Sequence, residues 1–254
     1  MVLSGKAGLI HKIKKEKPMA TYVISDIHGQ LEKLETLMEK INLKDSDNLY
    51  VLGDVVDRGP KPMECLQYLM AMPNVHCLAG NHEIMFLDCI KFLDKEITKE
   101  FIKQLSDDQI VALTGWIENG GTTTMQQYSE LDEEEKEDII DFLMEFELYE
   151  ELTVNGQKYL LVHAGIDNYV YGKPLNEYEM DDFLWVRTDY ELPYLDDTIT
   201  ISGHTPTQTI VGNSRPGYIF KTKYHIAIDC GASHSKGRLA AYCIETGQEF
   251  YSMD

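Results

Sequence analysis

From Thr21 onward one unit recurs: a short apolar run rich in Val, Ile, Leu and Tyr, then a polar cluster, then a stretch of helical periodicity. The runs are Thr21–Ser25, Asn48–Leu52, Val75–Ala79, Lys158–Val162, Thr198–Ser202 and Tyr224–Ile228. Short apolar runs that are continuous rather than alternating read as buried strands. Helical patterns over Leu31–Ile41 and Lys61–Met70 stand between the early runs, and such alternation builds an α/β architecture with parallel pairing. The 254 residues suit one large α/β domain or two small ones, and no internal repeat or low-complexity linker divides them. The expectation is therefore a single domain over 19–254, with a mainly helical insertion at about 84–148. Within it, Asn119-Gly120-Gly121 reads as a break between helices. Ser129 reads as the N-cap of a helix with Asp132 to Glu135 in its first turn, and Ile139, Ile140, Phe142, Leu143 and Phe146 as its apolar face. Residues 1–18, with Lys6, Lys12, Lys14, Lys15 and Lys17 against Glu16, read as a disordered extension or tag, the alternative being a basic docking arm.

The residues just beyond each strand carry the chemistry. Asp26-Ile27-His28-Gly29 succeeds the first, Gly53-Asp54-Val55-Val56-Asp57-Arg58-Gly59 the second and Gly80-Asn81-His82-Glu83 the third. His163-Ala164-Gly165 succeeds the fourth and Gly203-His204-Thr205 the fifth. In open α/β sheets, sites gather beyond the carboxyl ends of strands. Singly each motif reads as turn chemistry, since Asp and Gly favour turns. Five in order, each at a strand end, point to one converging site. Carboxylate and amide oxygens mixed with imidazoles suit Mn, Fe or Zn rather than calcium, and no cysteine in the set points to structural zinc. Six or more such ligands exceed one tetrahedral ion and suit two ions, about 3.5–4 Å apart, sharing a carboxylate.

In these motifs the chain resembles the phosphoprotein phosphatase family of metallophosphoesterases, especially its compact bacterial and phage members, from about Thr21 to Tyr242. One departure is Ser25, which stands where the family's first motif usually opens with glycine. The resemblance implies a four-layer α/β/β/α sandwich of two mixed sheets. It implies that Asp26 and His28 bind a first metal, that Asp54 bridges, and that Asn81, His163 and His204 bind a second. It implies His82 as the proton donor to the leaving oxygen with Asp57 on its other ring nitrogen, and Arg58 and Arg187 as the phosphate grip. Arg187 is carried by the short segment Leu184-Trp185-Val186-Arg187. The implied reaction is hydrolysis of phosphate monoesters by direct attack of a hydroxide shared between two divalent ions, most simply manganese, with no phosphoenzyme. Glu83 reads as a support of the third loop, Asp229 as structural or behind the ligands, Trp185 as packing, His225 as a satisfied core or surface histidine, and Cys230 as a buried inert thiol.

A net charge of -20 bears on partners. A field of that sign repels nucleic acid and anionic lipid, so neither is expected, and a nuclease on the same centre is disfavoured. Phosphorylated proteins or peptides and small phosphate esters remain as substrates, provided cations offset the field at the site. The leading expectation is a serine/threonine protein phosphatase, and the runner-up a dinucleoside tetraphosphate hydrolase. Symmetrical tetraphosphatases resembling this chain usually lack the acid before the arginine and carry Asp in place of Glu83; Asp57 and Glu83 fit the protein-phosphatase pattern. A metal-binding scaffold without activity predicts a missing ligand, and none is missing. Five cysteines without a C-x-x-C, and no apolar run near the roughly 18 residues of a membrane span, lead to the expectation of reduced thiols and a cytoplasmic protein.

Overall fold

The computed structural model describes residues 19–93 and 103–253; residues 1–18, the expected extension or tag, lie outside them. Strands β1 (Thr21–Ile24), β2 (Asn48–Val51) and β3 (Val75–Cys77) pair in parallel, as the buried apolar runs require. They share a sheet with β9 (Ala240–Cys243) and β10 (Glu249–Tyr251), in the order β10-β9-β1-β2-β3. The second sheet holds β4 (Tyr149–Val154), β5 (Gln157–Val162), β6 (Thr198–Ser202), β7 (Phe220–Lys221) and β8 (His225–Ala227), in the order β4-β5-β6-β8-β7. Its central β5, β6 and β8 are parallel, with antiparallel β4 and β7 at the rims.

Side-chain alternation sorts each strand between two cores. Val23, Tyr50, Leu52 and Leu78 meet Tyr159, Leu161, Ile201 and Ile226 between the sheets. Tyr22, Ile24, Leu49 and Val51 face the opposite way, onto the helices. Those are α1 (Leu31–Ile41), α2 (Pro62–Met70) and α3 (Asn81–Ile90), each coming after a parallel strand. In α1 the buried Leu34, Leu37, Met38 and Ile41 form one stripe at helical spacing. Asn42 then ends the helix at φ 48, its N–H returning to the carbonyls of Met38 and Glu39.

Helices α4 (Asp107–Glu118), α5 (Thr122–Glu130) and α6 (Glu133–Met144) lie between β3 and β4. The outer face of the second sheet is covered more thinly, by the short α7 (Met180–Leu184), a single turn at Leu175–Glu177 and the cluster of Leu160, Val162, Ile166 and Phe183. The architecture is thus α/β/β/α, with a slight fourth layer.

Two expectations are corrected. Ser129 is no cap: it lies inside α5 with its hydroxyl donating to the Gln126 carbonyl. Asp132 caps α6, accepting from the Glu135 N–H at 2.9 Å while the Glu135 carboxylate accepts from the Asp132 N–H at 3.0 Å, a reciprocal box that Ser129 is too far back to make. Strands β4, β7, β9 and β10 are additions to the expected runs; Asn155-Gly156, at φ 52 and φ 83, forms the tight turn that pairs β4 with β5. The five cysteines are all buried and unbridged, and no helix among the described residues is long and apolar enough to cross a membrane.

Candidate metal centre

Six of the ten predicted site residues have left-handed backbones: Asp26 (φ 53), His28 (φ 47), Asp54 (φ 56), Asp57 (φ 70), Arg58 (φ 65) and His204 (φ 61). Each costs about 1 kcal/mol or more for a residue with a Cβ, and concentration of that strain at loop tips marks a site. Extended pairing holds the tips in place. Beyond β1 and β2 the His28 N–H donates to the Asp54 carbonyl and the Gly29 N–H to the Val55 carbonyl, both at 2.8 Å. The Gly203 N–H donates to the His163 carbonyl at 2.8 Å and ties the two loops of the second sheet.

The two sheets bring these loops to one place. Asp54 lies at the centre with its carboxylate divided. Oδ2 is 3.6 Å from His28 Nε2 and 3.9 Å from His82 Nε2, while Oδ1 is 3.5 Å from His163 Nε2. His163 Nε2 is in turn 3.1 Å from Asn81 Oδ1 and 3.2 Å from His204 Nδ1. Two donor clusters, His28–Asp54–His82 and Asp54–His163–His204, therefore share Asp54. Asp26 is 4.0 Å from His28 Nε2 through Oδ1, and its Oδ2 accepts from the His204 N–H at 3.0 Å and from the Ser25 hydroxyl. The serine found in place of glycine thus orients a predicted ligand carboxylate.

The tautomers make these clusters acceptor-only. His28 Nδ1–H donates to the Val56 carbonyl at 2.9 Å and His163 Nδ1–H to the Leu52 carbonyl at 2.6 Å. Each ring therefore turns a bare Nε2 lone pair inward, where it meets carboxylate and amide oxygens that also only accept. Burial drives His28 well below its usual range, and burial with His163 and Arg187 pushes His204 down to about 2. Burial, then Asp26 and Glu83, pushes Asp54 well above the carboxylate range. Lone pairs facing lone pairs around a divided carboxylate fit a pair of divalent cations. The guanidinium of Arg58 already leans on that surface, 2.6 Å from His28 Nε2 and 2.8 Å from His82 Nε2.

Behind this shell, Glu83 receives the N–H groups of Asp54, Val55 and Gly80 at 2.8–2.9 Å, locking the second and third loops together. His82 Nδ1 lies 2.6 Å from Asp57 Oδ2, and burial with Arg58 drives His82 down to about 2. Asp57 is pushed up to about 7 by burial, against donors from Thr124 and Trp116. Arg187 Nη1 donates to the His204 carbonyl at 2.8 Å and to Thr205 Oγ1 at 3.0 Å. Arg58, Arg187 and His204 line one open cavity of about 400 Å³ with Pro206, Ser233 and His234. All ten predicted residues thus converge.

The predicted bystanders are placed as well. Asp229 is buried and held well above the carboxylate range by burial and by Asp26. His225 is buried against the rings of Tyr190 and Tyr194, with Nε2 on the Leu192 carbonyl at 2.7 Å. Trp185 is 46% exposed and meets the His204 ring edge to face, so it is less a packing residue than expected. Trp116 and Thr124 belong to none of the sequence motifs, and both reach Asp57.

Residues 19–227 match the family described as calcineurin-like phosphoesterase. Serine/threonine-protein phosphatase 2 of Escherichia coli (strain K12) is 26% identical over 88% of this chain and 92% of that protein. The symmetrical bis(5'-nucleosyl)-tetraphosphatase of Erwinia tasmaniensis is 31% identical over 46% of this chain; the match spans 42% of that protein's length. Among solved structures, a candidate diadenosine tetraphosphatase superposes with a TM-score of 0.62 at 16% identity over 92% of both chains, which speaks for the fold. With the family match reaching into both sheets and taking in every residue of the divided-carboxylate site, the chain belongs to the calcineurin-like phosphoesterases.

Proposed function

We propose that the chain is a metal-dependent phosphomonoesterase of the serine/threonine protein phosphatase type. The observation that carries this reading is the His82–Asp57 contact at 2.6 Å, beside the Asp54 that divides between two donor clusters. Asp26, His28 and Asp54 would hold one divalent ion, with His82 of that donor cluster left for proton delivery, and Asp54, Asn81, His163 and His204 the other, with manganese the favoured identity. Such ions supply Lewis-acid polarisation of the phosphate and an acidified water.

The chain's own residues do the rest. Arg58 and Arg187, which both line the cavity, grip the phosphate oxygens as planar forks. Arg58 Nη2 donates to His82 Nε2 at 2.8 Å, so a phosphate that drew Arg58 onto its oxygens would lie beside that nitrogen and free it. With Nδ1–H on Asp57 and Nε2 accepting from Arg58 the ring is neutral, so His82 would first take up a proton at Nε2 from water and then pass it to the departing oxygen, while Asp57 keeps the Nδ1 proton and the ring in place. A serine or threonine alkoxide is a poor leaving group and needs that proton. A nucleotide leaving an anhydride departs without one, so a built His–carboxylate pair favours the ester.

The 31% match to a tetraphosphatase supports a second reading, hydrolysis of dinucleoside tetraphosphates at the same centre. Kinetics with manganese on a phosphothreonine peptide, a phosphotyrosine peptide and diadenosine tetraphosphate decide between them. A preference of about 100-fold, equal to about 2.7 kcal/mol of transition-state binding, for the phosphothreonine peptide is expected. The same preference for the dinucleotide would replace the first reading with the second.

A further inference from the structure

The carboxylate of Asp57 is held not only by His82 but by two residues of the helical segment between β3 and β4. Trp116 of α4 is fully buried, and its indole N–H is shared between the two oxygens, at 3.1 Å to Oδ1 and 2.9 Å to Oδ2. Thr124 of α5, also fully buried, donates its hydroxyl to Oδ1 at 2.5 Å and accepts the Asp57 N–H at 2.9 Å. With His82 Nδ1 on Oδ2, both oxygens are occupied and the carboxylate plane cannot turn.

The turn between α4 and α5 also grips the neighbouring arginine. The Arg58 N–H donates to the Gly120 carbonyl at 3.0 Å, and Arg58 Nε lies 3.4 Å from the Asn119 carbonyl. Both glycines of Asn119-Gly120-Gly121 are needed for the approach. Gly120 sits at φ 103 with the Arg58 side chain where a Cβ would project, and a Cβ at Gly121 would overlap the Trp116 indole. Phe86, one turn after His82 on α3, stacks on that indole at 5.6 Å. A buried indole and a buried hydroxyl each need a partner somewhere. Here both converge on the one carboxylate that faces His82.

We propose that Trp116 and Thr124 are positioning residues that fix the Asp57–His82 pair for proton delivery, so that the α4–α5 turn is part of the reaction machinery rather than only a cover. This rests on the proposed role of His82. Loss of either donor lets the Asp57 carboxylate rotate, and His82 Nε2 then meets the leaving oxygen less often. The effect belongs to turnover, not to phosphate binding, and it grows as the leaving group becomes poorer.

The test compares phenyl phosphate, a poor leaving group, with 4-nitrophenyl phosphate, a good one, for wild type, Thr124→Val, Thr124→Ser, Trp116→Phe and His82→Asn, with manganese. Thermal melts confirm that each variant is folded. Thr124→Val and Trp116→Phe are expected to lower kcat on phenyl phosphate by about 10-fold, to change it on 4-nitrophenyl phosphate by less than about 3-fold, and to leave KM within about 2-fold. Thr124→Ser, which keeps the hydroxyl, is expected to restore the wild-type ratio. Equal losses on both esters, no loss, or a loss confined to KM would overturn the positioning role, provided His82→Asn shows the leaving-group dependence. If Thr124→Val fails to fold, Trp116→Phe decides alone. If His82→Asn itself slows both esters equally, the proton-donor reading of His82 fails, and the inference with it.

Discussion

At the scale of single residues, the site's function divides between groups that would touch the phosphate and groups that hold them. His82→Asn removes the proposed proton donor but none of the proposed metal ligands. It is expected to slow turnover on poor leaving groups by about 10²–10⁴-fold while the metal content measured by emission spectrometry stays unchanged. The buried His225 is a different case. Burial lowers its pKa, and Nδ1 has no partner. Above about pH 6.5 it is neutral folded and unfolded. Below that, the unfolded chain takes up a proton that the native ring resists, so stability falls as pH drops, by up to about 1.4 kcal/mol per pH unit from this group. Urea denaturation at pH 7.5 and 5.5 is expected to show a smaller difference for His225→Phe than for wild type. The ten converging residues are legible in the sequence because each belongs to a short motif set close to a strand or helix end, where local pattern carries the information. Trp116 and Thr124 are not, because 59 and 67 positions separate them from the Asp57 they contact and no periodic signal bridges that distance.

At the scale of elements, the parallel strands and α1 are legible because their apolar runs and stripes are continuous. Strand β4 is not: Tyr149, Glu150 and Glu151 look like the tail of the acidic helical region, and their pairing with Val162, Leu161 and Leu160 comes from the hairpin. The cap of α6 at Asp132 has an energetic consequence. Asp132→Ala removes an acceptor from the first turn and is expected to cost about 1 kcal/mol in chemical denaturation, whereas Ser129→Ala, in the last turn of α5, is expected to stay within about 0.5 kcal/mol of wild type. Glu83 has a larger reach, since its carboxylate serves N–H groups on both the second and third loops. Glu83→Ala leaves at least three buried donors without an acceptor, and a loss of about 3 kcal/mol or more is expected by the same measurement, together with weakened metal retention.

At the scale of the whole molecule, the net charge of -20 and the lone-pair cluster act on cations in the same direction. Manganese at about 100 times its dissociation constant is expected to stabilise the fold by about 2.7 kcal/mol, read as a rise of about 5–10 °C in Tm that chelation reverses and Asp54→Asn abolishes. Asp26, His28, Asp54 and Asn81 leave one sheet and His163 and His204 the other, and Asp54 is common to both donor clusters. The ions would therefore stitch a seam between two slabs whose inner faces meet through apolar side chains. A chelated molecule keeps its two slabs but loosens along that seam. Backbone amides at Asp26, Gly203 and His204 would then trade deuterium sooner, while those buried in β1 and β6 would not, making solvent exchange a direct gauge of whether the stitches are in.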